Sequence, residues 1–192
     1  MAVNFDNLTV YTHPWKHIVI DNFLDKNIYD TMVEFGKEKI KENHWERFDF
    51  NVAGYSDFLT GWPTDKIMDQ YMQCHWEMEK QKQYIFGLFE PDVRPYQNWK
   101  FSSNLHTQEP GFVHPIHNEV ENKLLSVVTY LHPESSVGTI LYNDDQSNPF
   151  EVEWAPNRAM IFSPGTGNKW HSFAATDDAP RVTFNGFYGR LD

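Results

Sequence analysis

The chain has 192 residues, 40% hydrophobic and 16% aromatic, enough apolar material to bury a core without disulfide or metal staples and too much for a disordered chain. A formal net charge of −11 argues against a nucleic-acid partner, because no basic patch offsets it. One cysteine, Cys74, excludes an intrachain disulfide; with no basic-then-apolar leader at the N-terminus and no window of membrane-spanning length, a soluble, cytoplasmic protein is expected.

In chain order, residues 17–22 read as a short apolar strand. Asp25 then caps a helix that carries Ile28, Met32 and Phe35 on one face and ends near Lys41. A second helix is predicted from Thr64, with Ile67, Tyr71, Cys74 and Met78 in one stripe, so that Cys74 and His75 read as core residues. The character changes near position 90. Strands are predicted at 99–105, 112–116, 123–131, 138–143, 150–154, 158–162, 170–174 and 181–188, separated by polar or kinking connections. Short strands at even spacing behind N-terminal helices suggest a mainly β fold, a double-stranded β-helix (jelly roll, cupin-like). An immunoglobulin-like sandwich is the structural rival. A single domain over 1–192 is expected, helical to about 95 and jelly roll from about 96 to 190.

The chemistry concentrates in the second half. On a strand His117 and Glu119 point the same way, whereas His114 would point to the opposite face. A His-x-acid pair is weak by itself and equally describes a surface histidine beside a glutamate. His171 follows the loop Pro164-Gly165-Thr166-Gly167. Two histidines and a carboxylate form a facial triad on iron that leaves three positions open, whereas a structural zinc site would close with four protein ligands, often cysteines, which this chain lacks. Arg181 and Thr183 share a strand face, a guanidinium beside a hydroxyl that suits capture of a carboxylate. The alternative is an exposed arginine paired with Asp177 or Asp178. Trp154, Trp170, His106, Gln108 and Asn185 are candidates to face a substrate, and Tyr130 to line a co-substrate pocket, although parity leaves its direction open. The Gly165–Lys169 stretch lacks the spacing of a phosphate-binding loop, and Asp144-Asp145 lacks the remainder of a calcium loop.

The stretch from Gly111 to Arg181 resembles the 2-oxoglutarate and iron(II)-dependent oxygenases, especially their prolyl-hydroxylase-like branch. Pro110-Gly111 precedes the first histidine, His117, and Lys123 opens a long apolar strand ending in Tyr130-Leu131. Gly138-Thr139-Ile140-Leu141-Tyr142 then opens a Gly-led strand, and Pro156, Ala159 and Phe162 mark a hairpin before His171 and Arg181. The resemblance implies Fe(II) held by His117, Glu119 and His171, with the far carboxylate of 2-oxoglutarate on Arg181, assisted by Thr183. It implies a dioxygenase that hydroxylates a small molecule or peptide with release of succinate and carbon dioxide. Most members carry aspartate at the position of Glu119, which is longer by one methylene. A non-oxygenase cupin-like module that binds a metal or another ligand is the competing expectation.

Overall fold

The computed structural model describes residues 1–45, 47–50, 64–89, 99–120, 122–164 and 167–190. Gly165 and Thr166, from the loop expected before His171, lie outside them. Helix α1 spans Lys26–Lys41; the Asp25 side chain accepts from the Asn27 N–H at 2.9 Å, and Lys39 and Lys41 sit in the last turn, where cations oppose the helix dipole. Helix α2 spans Thr64–Gly87 and buries the predicted stripe of Ile67, Tyr71, Cys74 and Met78. Neither helix is long and apolar enough to cross a membrane.

The described residues form eleven strands: β1 (Leu8–Tyr11), β2 (His17–Ile20), β3 (Arg47–Phe50), β4 (Trp99–Gln108), β5 (Val113–His117), β6 (Lys123–His132), β7 (Thr139–Leu141), β8 (Phe150–Val152), β9 (Ala159–Phe162), β10 (His171–Ala174) and β11 (Arg181–Arg190). All eight strands predicted after position 90 are present. The strand expected at 17–22 is β2; β1 and β3 were not expected, and all three join the sheet built by the second half. That sheet has seven strands in the order β1-β2-β9-β6-β11-β4-β3; a four-stranded sheet runs β5-β10-β7-β8, and all pairings are antiparallel.

The period-two alternation of strands sorts each side chain into one of two layers. Ile18, Ile20, Ile161, Val182 and Phe184 pack with Met32, Phe35, Tyr71 and Met78 of the helices. Their sequence neighbours Val19, Met160 and Phe162 point the other way, against Leu141 and Val152 of the small sheet and Trp15. Helix α1 approaches β11 closely at Gly36, where a Cβ would lie 2.6 Å from Val182 Cγ1. Pinning Val182 to the helices turns Arg181 and Thr183 toward the space between the sheets.

Candidate metal and co-substrate site

That space is a cavity of about 380 Å³, lined by His114, His117, Glu119, Lys123, Ser126, His171, Arg181 and Thr183 among others. His117 closes β5 and His171 opens β10, and the two are direct cross-strand partners with ring centroids 4.2 Å apart. The next pairing is Phe173 with His114, so two steps along β10 match three along β5. The extra residue in β5 is a bulge, centred where Pro115 cannot donate to the ladder. Strand parity therefore fails, and the expectation that His114 points away is corrected. Its ring lies 4.1 Å from that of His117 and stacks on Phe173 at 4.8 Å.

The histidines are oriented from behind by backbone. His117 Nδ1 lies 3.0 Å from the Pro115 carbonyl, and His171 Nδ1 lies 2.8 Å from that of Lys169. A carbonyl only accepts, so each Nδ1 carries the proton and each Nε2 offers a lone pair, the tautomer a metal needs. Burial lowers the pKa of both rings; His171, with the neighbouring His117 charge as the second cause, is held at about 4. Both are neutral at physiological pH and ready to ligate without first losing a proton.

Glu119 stands on the same cavity wall but is engaged elsewhere. Lys123 Nζ donates to its Oε2 at 2.6 Å, and Ser126 Oγ donates to its Oε1 at 2.9 Å. Burial alone would raise its pKa, but the charge and hydrogen bond of Lys123, with His171 and Ser126, hold it below the usual carboxylate range. Among the described residues no three His, Cys, Asp or Glu side chains are already drawn together as a metal-holding group. The donor chemistry fits iron(II) all the same: two neutral imidazoles with free Nε2 atoms and an ionised carboxylate line one cavity.

Arg181 is 1% exposed, so the expected alternative of an exposed arginine paired with Asp177 or Asp178 does not hold. Its guanidinium carbon lies 4.7, 5.0 and 5.6 Å from the ring centroids of Phe173, Trp154 and Tyr130. Nη1 donates to the carbonyl of Ala174 at 3.1 Å, while Nε is buried without a partner. Among the described residues no carboxylate pairs with it. Desolvation lowers its pKa to about 10, so it remains a cation at neutral pH. Thr183, 3% exposed, lines the cavity two residues on along the same strand face. Tyr130 is fully buried behind this group. Its hydroxyl donates to Thr139 Oγ1 at 2.8 Å, and its ring stacks on Trp154 at 4.5 Å, so it braces the aromatic cage around Arg181.

Of the suggested substrate-facing residues, His106, Gln108 and Asn185 line the cavity, whereas the Trp170 indole is outside the lining and donates to the Asp144 carbonyl at 3.0 Å. Asn104, Ser126, Phe173 and Phe187 also line it and were not anticipated. Asn104 was accessible to parity, since Asn104, His106 and Gln108 alternate with Ser103, Leu105 and Thr107 along β4.

No protein-family profile matches the chain, and no curated protein sequence matches it. Solved structures do. A prolyl-4-hydroxylase from Pseudomonas putida superposes with a TM-score of 0.61 at 14% identity, covering 92% of this chain and 88% of that one. The viral collagen prolyl hydroxylase of Paramecium bursaria Chlorella virus-1, solved with 2-oxoglutarate, gives a TM-score of 0.61 at 12% identity over 92% and 96% of the two chains. A Trichoplax adhaerens prolyl hydroxylase, in complex with a peptide fragment from a hypoxia-inducible factor, gives 0.54 at 13% over 91% and 83%. At such identities the likeness is one of fold.

Proposed function

We propose that this chain, whose fold is that of the prolyl-4-hydroxylase-like 2-oxoglutarate and iron(II) oxygenases, is itself such an oxygenase, hydroxylating a small molecule or a peptide side chain. Arg181 carries the proposal: a sealed cation with no carboxylate partner among the described residues, facing the cavity that also holds two metal-ready imidazoles. A buried unpaired charge is costly, and a dicarboxylate co-substrate would supply the missing anion. We read the two sheets as the halves of a jelly roll, because β4, β6, β9 and β11 lie in one while β5, β7, β8 and β10 lie in the other.

His117, His171 and Glu119 would hold the iron, and Arg181 with Thr183 the far carboxylate of 2-oxoglutarate. Bound together, iron and 2-oxoglutarate supply the activation of dioxygen, with succinate and carbon dioxide as co-products. The chain's own part is positioning. The carbonyls of Pro115 and Lys169 fix the imidazole tautomers, and Tyr130 and Trp154 hold the guanidinium in place. The rings of Phe112, Phe173 and Phe187 help to keep water from the cavity.

The engagement of Glu119 by Lys123 and Ser126 favours a second reading, a cupin-like module that binds a metal or another ligand without oxygenase activity. Anaerobic titration of the iron(II) protein with 2-oxoglutarate separates the two. An oxygenase develops the visible charge-transfer band of the chelate and, with oxygen and substrate, forms succinate. Iron bound with no band at saturating 2-oxoglutarate would leave only the binding module.

A further inference from the structure

Glu119 is the one proposed ligand whose donor atoms are already occupied, and both of its partners come from the same neighbouring strand. Lys123 and Ser126 stand at the start of β6, and together they take one carboxylate oxygen each, at 2.6 and 2.9 Å. Lys123 is itself held, with its ammonium 5.2 Å from the centroid of the Phe187 ring, and only 27% of its side chain is exposed. The Glu119 side chain is 14% exposed, so its ion pair is shielded from the screening that weakens surface pairs. The imidazoles differ in this respect: their backbone bonds are made through Nδ1 and leave the ligating Nε2 free.

We propose that Lys123 and Ser126 form a lock on Glu119 that competes with the metal, so that the first two ligands to engage are His117 and His171 and the carboxylate joins only by leaving its lock. The lock rests on the metal-centre reading given above. Its consequence is that Lys123 sets metal affinity from outside the ligand set, as a positioning residue. The ammonium does this by occupying, through a charge-assisted hydrogen bond, the oxygen that the cation would take. Glutamate suits the device, since its extra methylene gives the carboxylate the reach to swing between β6 and the histidines.

The test is Mn(II) affinity of the full chain under argon, measured by paramagnetic resonance of the free ion, for Lys123→Met, Lys123→Arg and Ser126→Ala. Removing the ammonium should tighten Mn(II) binding roughly tenfold to a hundredfold, the span of a charge-assisted hydrogen bond. Ser126→Ala should tighten it several-fold, and Lys123→Arg should match the parent. Weaker or unchanged binding in Lys123→Met overturns the lock and makes Lys123 a supporting partner of the bound carboxylate. Tightening in Lys123→Met with an unchanged Ser126→Ala also overturns it, since that pattern is simple repulsion between two cations. A parent that binds no Mn(II) while Lys123→Met does still supports the lock; binding by neither overturns the lock and the metal centre together. Should Lys123→Met fail to fold by circular dichroism, Lys123→Leu, which likewise removes both the charge and the donor, replaces it under the same criteria.

Discussion

Two buried bases show how single residues divide between function and stability. Arg181 keeps its charge at neutral pH because even a pKa lowered to about 10 leaves it protonated, and among the described residues three aromatic rings and backbone carbonyls surround the charge. His17 resolves the same conflict by staying neutral. It is fully buried, stacked on Tyr11 at 5.1 Å, with Nδ1–H donating to the Trp15 carbonyl at 2.9 Å and Nε2 sealed without a partner. Burial, aided by the charge of His13, lowers its pKa below the ordinary 6.5. As the pH falls below 6.5 the unfolded chain takes up a proton that the folded chain refuses, so this contribution to stability, fully present above that value, is lost on acidification. His75, His117, His132 and His171 shift in the same direction and add to the slope. Replacing His17 by Phe should therefore leave the acid decline in place but make it shallower as the pH falls below 6.5, as read from urea midpoints across the series. An unchanged slope in His17→Phe would show that the ring is not held neutral by burial.

At the scale of elements, the entry to α1 is tied to the turn before β9 by one side-chain amide. Asn157, in the turn before β9, sits at φ +60°; its Oδ1 accepts from the Leu24 N–H and its Nδ2 donates to the Leu24 carbonyl, both at 2.8 Å, while its own carbonyl accepts from Phe23 at 3.0 Å. Those bonds hold the entry to α1 against the hairpin that delivers β9. Asn157→Ala strands two buried backbone groups and places in the turn a residue that tolerates the left-handed conformation less well than Asn, for an expected loss of about 2–4 kcal/mol. Urea denaturation measures it, and a loss within experimental scatter would mean that packing and the backbone bond from Phe23 hold the joint without the side-chain amide. The sequence carries these elements unequally. The eight later strands were legible because turn residues bracket each apolar run. Strand β1 was not, since three of its four residues are exposed and it lies at a sheet edge, so no buried alternation marks it. The bulge in β5 was hidden for another reason: parity assumes an unbroken ladder, and Pro115 was its only local sign. That His117, His171, Arg181 and Thr183 share one cavity could thus be anticipated from sequence, while the approach of His114 and the hold of Lys123 on Glu119 needed the ladder and the turn in three dimensions.

For the molecule as a whole, the proposed ligands sit on strands that the rest of the fold must hold together. His117 and His171 belong to the small sheet, Arg181 and Thr183 to the large one, and Glu119 is tethered to β6 of the large sheet. A metal and a dicarboxylate bound between them would bridge the two sheets, and whatever binds the native state alone stabilises it by mass action. At a hundred times its dissociation constant, a ligand adds about 2.7 kcal/mol, which for a chain of this size raises the melting temperature by roughly 5–10 °C. Mn(II) alone should give a first increment and 2-oxoglutarate, added after it, a second. In Arg181→Met the first increment should survive, because the guanidinium touches no proposed metal ligand, and the second should shrink or vanish. Differential scanning fluorimetry under argon reads both. Loss of the first increment in Arg181→Met would mean that the arginine holds the fold rather than the co-substrate, and a second increment of full size would remove Arg181 from the proposed 2-oxoglutarate site.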